Sequence, residues 1–236
     1  MDFIKRAARR LPGFRTVQAL RDVGRGGEQF RSALLRLRRP RGLFQPFGDT
    51  AEDRYPDVFA LVAQHLAGRD VSILSIGCST GEEVFSLKRY CPNARVKGLD
   101  ISPQRIAICK QQAAMRKAVD VAFAVAGDTA MEPTGHYDAI LAMSVFRHGS
   151  LSAGPPACGH LLSFSKFERA MADLSRCLRP GGLLAIRQAN FRFADTASAA
   201  EFTVVMEASD GSPLYDRQNL RLPDAAMEEC VFLKKA

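Results

Sequence analysis

The sequence predicts an α/β fold: a mostly parallel, seven-stranded sheet with helices on both faces, an antiparallel C-terminal edge, and basic helices at the N-terminus. Three observations carry this. From about residue 56, short apolar runs alternate with amphipathic segments, the pattern of buried parallel strands crossed by covering helices. The last two apolar runs, Phe202–Met206 and Cys230–Lys234, have no helical pattern between them, so they pair as an antiparallel edge. Basic residues gather at one end: residues 1–42 hold twelve Lys/Arg against Asp2, Asp22 and Glu28, a net +9, and positions 43–236 come out at −1. The chain divides accordingly into a basic helical extension, 1–42, and one α/β domain, 43–236.

Within the extension, Phe3, Ile4, Ala7, Ala8 and Leu11 recur at helical spacing with Lys5, Arg6, Arg9 and Arg10 between them, and Pro12-Gly13 ends that helix. Phe30, Leu34 and Leu37 mark a second basic helix, stopped by Pro40 and Gly42. In the domain, Asp57–Leu66 is helical with Pro56 suited to its first turn. Val71–Ile76 is a strand, Glu82–Tyr90 a helix, Ala94–Leu99 a strand and Pro103–Met115 a helix. Val119–Val125 and Asp138–Met143 are strands, Phe167–Leu178 is a helix ending at Arg179-Pro180-Gly181-Gly182, and Leu183–Arg187 is the fifth strand.

At 236 residues with 47% hydrophobic and 25% charged content, the chain is an ordinary globular one with room for a single sizeable core. No apolar run reaches the ~20 residues of a bilayer span. The N-terminus lacks a secretory signal's apolar core, so the expected compartment is the cytoplasm. Six scattered cysteines without a CxxC pair read as reduced, mostly buried thiols, and no metal site is expected. The basic extension has three readings: cover helices with solvated charges, contact with an anionic membrane surface or acidic protein, or an organelle transit segment. The second would place the protein at the inner face of a membrane. Nucleic acid is disfavoured, because the neutral body offers no basic active-site face.

Ile73-Leu-Ser-Ile-Gly-Cys-Ser-Thr-Gly-Glu-Glu83 carries the strongest chemical signal. A buried strand runs into a loop where Gly77 and Gly81 let backbone approach a ligand before a helix begins. The next strand ends at Asp100, about twenty residues on, where an acid can accept hydrogen bonds from both ribose hydroxyls. The third glycine of a dinucleotide loop is missing, which disfavours a nicotinamide cofactor.

This glycine and aspartate punctuation, followed by Leu178-Arg-Pro-Gly-Gly182, resembles class I S-adenosylmethionine-dependent methyltransferases. Their Rossmann-like sheet carries the antiparallel edge that a dinucleotide-binding domain lacks. Ser75-Ile-Gly-Cys-Ser-Thr-Gly-Glu-Glu-Val-Phe-Ser86 is similar to the loop of the chemoreceptor glutamate methyltransferases, although the end of the fourth strand, Ala142-Met-Ser-Val145, differs from their Cys-Arg-Asn-Val. The resemblance implies that Gly77, Cys78, Ser79 and Gly81 shape a methionine pocket, that Asp100 and Ile101 hold the ribose side, and that Glu82 meets the cofactor's ammonium. It further implies that Asp128, in Ala126-Gly127-Asp128-Thr129, reaches the adenine edge, that Arg54 faces the cofactor carboxylate, and that Ser144 belongs to the cofactor site. Asp128 as a turn residue and Arg54 as a surface ion-pair partner are the alternatives.

The acceptor should approach over Met143-Ser-Val-Phe-Arg-His148, with His148 as a candidate general base and Arg147 as a candidate anchor; mere loop anchoring is the alternative for both. The chain has no Asn/Asp-Pro-Pro-Tyr/Phe run and no Pro-Cys nucleophile, which leaves an oxygen on a small molecule, lipid or protein carboxylate as the broadest fit. Two other readings stay open: an NAD(P)-dependent oxidoreductase, and a non-catalytic cofactor-binding module acting through its basic arm.

Overall fold

A computed structural model describes residues 27–38, 40, 42–209, 211–223 and 227–236. The expected first helix around Phe3–Leu11 lies outside the described residues. The second basic helix is α1, Gly27–Arg38. It buries Ser32, Ala33 and Leu35 and leaves Leu37 exposed, so one face packs on the protein and the other carries the charge.

The domain follows as α2 (Pro56–His65), β1 (Ser72–Ile76), α3 (Glu82–Tyr90), β2 (Arg95–Asp100), α4 (Pro103–Arg116), β3 (Val121–Val125) and β4 (Tyr137–Met143). It continues with α5 (Phe164–Cys177), β5 (Leu178–Arg187), β6 (Phe202–Ala208) and β7 (Glu228–Lys234). The sheet has seven strands in the order β3-β2-β1-β4-β5-β7-β6. β1 to β5 run parallel, and β7 enters antiparallel between β5 and β6. All seven residues of β4 are buried, as a central strand covered on both faces must be.

One face of the sheet packs under α2, α3 and α4 around Val58, Phe59, Val84, Leu87 and Ile106. The other is closed by α5, whose Phe164, Phe167, Met171, Leu174 and Cys177 recur at helical spacing and are all buried. Fully burying one such large apolar side chain contributes about 1.5–3 kcal/mol. The helix starts at Phe164, three residues before its first expected position; Ser163 makes no side-chain capping bond, and Asn219 Oδ1 accepts from the Phe164 amide at 2.7 Å. Arg179-Pro-Gly-Gly182 does not separate the helix from the strand as a free turn. Leu178 already pairs with Tyr137, the ladder resumes at Leu183 opposite Ala139, and the four residues bulge out between them.

Strand order reverses between β1 and its two parallel neighbours, β2 and β4. A ligand in such a sheet sits outside the carboxyl ends of the strands at that reversal. Among the described residues no helix is long and apolar enough to cross a membrane.

Candidate functional site

At the reversal a cavity of about 510 Å³ opens over the ends of β1, β2 and β4, a size usual for a small-molecule site. Its floor is the glycine loop. Gly77 has φ +66° and Gly81 φ +103°, a region that favours glycine, and Gly81 is the residue before α3. A Cβ on Gly77 would stand 2.7 Å from Val145 Cγ2, so nothing larger fits there without displacing the far wall. The loop is held from below by the Cys78 amide donating to Leu99 O and the Gly81 amide to Cys78 O, both at 2.9 Å.

Asp100 ends β2, is 4% exposed, and lines the cavity. Its Oδ2 accepts from the Ser79 amide at 3.0 Å and its Oδ1 from the Ser102 amide at 2.8 Å. Arg105, equally buried, lies 3.8 Å from Oδ1 and balances the charge. An ionised carboxylate oxygen accepts more than one hydrogen bond. Cys78, Ser79 and Ile101 line the same wall. Burial and a hydrogen bond with Cys109 push the Cys78 thiol well above the ordinary thiol range, the hydrogen bond being the larger cause, so Cys78 is a neutral packing group.

The two glutamates at the head of α3 part company. Successive residues on a helix point about 100° apart. Glu82 accepts from Thr80 Oγ1 at 2.7 and 2.8 Å within its own loop and is not on the cavity wall. Glu83 is on it, and its Oε1 accepts from Ser75 Oγ at 2.7 Å. Burial pushes the Glu83 carboxyl up to about 7; the Ser75 hydrogen bond and the Arg54 charge only partly oppose this. Of these two acids only Glu83 is on the cavity wall, reaching back over a strand whose own side chain at that point is Ser75.

Arg54 also lines the cavity. It donates to Asp49 O at 2.9 Å and to Gln188 Oε1 at 3.3 Å, and lies over the Tyr55 ring. At the opposite end Asp128 is exposed on the cavity rim and accepts from the Ala130 amide at 3.1 Å, so it shapes the turn as well as facing the cavity. Beside it the Thr129 hydroxyl is buried on the cavity wall with no hydrogen-bond partner, an orphan a ligand's polar edge would satisfy. Ser144 lines the wall beyond Gly77. Arg147 and His148 do not reach the cavity lining. Arg147 donates to Ser152 Oγ at 3.1 Å, and His148 Nδ1 accepts from the Ser150 amide at 3.2 Å, where it caps a short 3-10 turn.

A segment with no periodic pattern roofs the cavity. Residues 42–50 run from Gly127 to Arg54, and a Cβ on Gly42 would stand 2.2 Å from Gly127 O. Four carbonyls of this strap accept from four side chains below: Leu43 O from Lys166, Pro46 O from Arg105, Gly48 O from Ser79, and Asp49 O from Arg54. Phe44 meets Phe146 edge-on at 4.8 Å between ring centroids. Just past the strap, Glu52 pairs with Arg116 and Arg89, which hold its carboxyl below the usual range.

Residues 73–182, the span from β1 into the β5 bulge, match the family model described as a methyltransferase domain. That span, just under half of the chain, is what resembles a methyltransferase domain. A demethylmenaquinone methyltransferase of Thermus thermophilus is 31% identical over 115 residues, which is 48% of this chain and 45% of the relative. The chain thus spans less than half the length of that curated relative. Among solved structures, the [4+2]-cyclase SpnF is 21% identical, covering 69% of this chain and 64% of its own, with a TM-score of 0.49. Coclaurine N-methyltransferase bound to N-methylheliamine and SAH is 20% identical, covering 56% and 34%, with a TM-score of 0.43. The matched span contains the glycine loop, Glu83, Asp100 and the β4 end, while the strap, Arg54 and Tyr55 come from the segment preceding it.

Proposed function

We propose that the chain binds S-adenosylmethionine in this cavity and catalyses transfer of its methyl group to an oxygen acceptor on a small molecule, lipid or protein. The observation that carries the reading is the set of groups that line this one cavity: Arg54, Glu83, Gly77, Asp100, Asp128 and the orphan Thr129 hydroxyl. That set matches the functional groups of the cofactor. Glu83 would take the ammonium and Arg54 the carboxylate, a pairing suited to a guanidinium. Gly77 would leave room for the methionine carbons, Asp100 would accept from the ribose hydroxyls, and Asp128 with Thr129 would meet the adenine edge.

When bound, S-adenosylmethionine supplies a sulfonium methyl open to in-line attack by a nucleophile. The protein's part is to align the two partners and keep water away, and such alignment can lower a barrier by about 7–11 kcal/mol. The strap, with Phe44 against Phe146, covers one side of the cavity. Arg147 and His148, tied into their own loop, contribute through that loop's shape. The nicotinamide alternative loses support from the methyltransferase-domain match and the antiparallel edge.

Titration calorimetry on the full chain tests the cofactor reading. Micromolar binding of S-adenosylmethionine and of S-adenosylhomocysteine, about −8 kcal/mol, is expected. Heat with NADH and none with either sulfur compound would overturn it.

A further inference from the structure

Helix α5 turns a row of side chains to the cavity: Lys166, Arg169, Ala170, Asp173 and Leu174 fall at helical spacing on its wall. The row begins with two cations one turn apart. Lys166 is half-buried; its ammonium donates to Leu43 O and stands 4.3 Å from the centre of the Phe44 ring. Arg169 is exposed, which sets it at the open side of the cavity. Among the described residues no carboxylate forms an ion pair with either cation, and Asp173, the acid one turn further along, is no exception. Burial, and after it the Arg169 charge, holds the Lys166 ammonium below the ordinary lysine range. Like charges on one wall act in that direction, and an anion between them reverses it.

The remaining charges on the wall are placed otherwise. Arg105 stands 3.8 Å from Asp100, Arg54 acts on Glu83, and Asp49 and Asp128 are exposed at the rim. Beside Lys166 the wall is apolar: Phe44 meets Phe146 edge-on there, with Ala170 and Leu174 on the turns of α5 that follow. A carboxylate or phosphate placed by the two cations thus has an apolar surface next to it. Lys166 carries three donors and uses one on the strap, and the Arg169 fork offers an oxyanion two more in parallel.

Resting on the cofactor reading above, which gives Lys166 and Arg169 no part in holding S-adenosylmethionine, we infer that the two form an anion subsite for the methyl acceptor, a carboxylate or phosphate compound with an apolar body. The anion lies between the ammonium and the guanidinium, and the body lies against Phe44 and Phe146. Arg169, at the open side, meets the acceptor first, and Lys166 holds it deeper in. The sulfonium of the bound cofactor adds a third positive charge to the same cavity, so an anionic acceptor is drawn in where a cationic amine is repelled.

Two measurements on the full chain test this. In the first, benzoate, phenyl phosphate and benzyl alcohol, which share a ring and differ in charge, are titrated by ligand-observed NMR with S-adenosylhomocysteine held saturating. Benzoate or phenyl phosphate should bind at least about fivefold more tightly than benzyl alcohol, and the tighter of the two names the anion. Arg169→Gln, which leaves the Lys166 contact with the strap in place, should weaken the anion about fivefold. Its affinities for benzyl alcohol and S-adenosylhomocysteine should stay within about twofold of the parent's. In the second, a bacterial extract is split on a strong anion exchanger and each fraction is incubated with deuterium-labelled S-adenosylmethionine and the protein. Label should enter compounds of the retained, anionic fraction alone. Transfer in the unretained fraction, benzyl alcohol bound as tightly as the anions, or anion binding unchanged in Arg169→Gln overturns the inference. So does a clear loss of S-adenosylhomocysteine affinity in that variant, which would assign the pair to the cofactor. Cofactor binding with no labelled product from either fraction also overturns it while the cofactor reading stands. Absence of S-adenosylmethionine binding, seen by calorimetry alone, is the separate failure of that reading.

Discussion

Glu83 gives affinity and stability opposite pH dependences. In the ligand-free protein, burial lifts its carboxyl from 4.5 to about 7. Between those values the folded chain holds a proton that the unfolded chain has released. Its contribution to stability therefore falls as pH rises through that window, by roughly 3 kcal/mol in all. A bound ammonium reverses the preference, because an adjacent opposite charge favours the ionised carboxylate. Below pH 7 the cofactor must then displace a proton on binding. Affinity for S-adenosylmethionine should be about tenfold weaker at pH 6 than at pH 8 and level above that. Glu83→Gln keeps the shape and the Ser75 contact but cannot ionise. It should be more stable than the parent at pH 8 by about 2 kcal/mol, yet bind cofactor 1.5–3 kcal/mol more weakly there, with no pH dependence from this group. Calorimetry in two buffers of different ionisation heat reads the proton directly: close to one released per cofactor bound at pH 6, almost none at pH 8. Parent affinity that is flat from pH 6 to 8, or a Gln variant that binds as tightly as the parent, would refute the assignment of Glu83 to the ammonium.

Gly77→Val sets a branched side chain at φ +66° against Val145; cofactor binding should vanish in calorimetry, with at least about 1–2 kcal/mol lost from the denaturation midpoint. Asp100→Ala removes the carboxylate 3.8 Å from the buried Arg105 guanidinium and the acceptor of the Ser79 and Ser102 amides. Its unfolding free energy should fall by about 3–5 kcal/mol, and urea titration that finds less than about 1 kcal/mol would show that the pair is not structural. Lys166→Met removes the donor to Leu43 O and the cation over the Phe44 ring. Limited proteolysis should then cut within residues 42–50 faster than in the parent, and stopped-flow should show faster cofactor release.

Much of this fold is legible in the chain because its signals are local and repeated. The buried strands, the Gly77 and Gly81 loop and the Asp100 strand end all follow from short-range pattern. The β5 ladder was harder, since Leu178 reads as the end of a helix and only pairing with Tyr137 makes it part of a strand. In the site, Glu82 and Glu83 are chemically identical and adjacent, and choosing between them needs the helix's rotational phase against the cavity. Ser75, a polar residue between Leu74 and Ile76, was the available clue to Glu83. The strap left no trace, because its bonds run through backbone carbonyls, which every sequence has. Tyr55 and Gln188 lie 133 positions apart, and nothing short of the folded sheet places them together. His148 shows the converse: a residue type suited to catalysis, in a plausible loop, whose ring nitrogen serves the backbone of its own turn.

The position of β7 bears on how the chain reaches its native state. β6 has β7 as its sole neighbour in the sheet, and residues 209–227 intervene before that neighbour is synthesised. On the ribosome, β1 to β5 can align while β6 has no ladder to join, and β5 presents an open edge. Insertion of β7 as the penultimate strand closes that edge and recruits β6 in one step, through pairings at Leu183↔Leu233 and Thr203↔Leu233. A release factor acting early, or a protease trimming residues 228–234, would thus strip two strands rather than one and leave Leu184 and Ala185 at a bare margin. The cavity lies on the other half of the sheet, at β1, β2 and β4, so such a truncated chain would retain its pocket residues while losing its protection against edge-to-edge association.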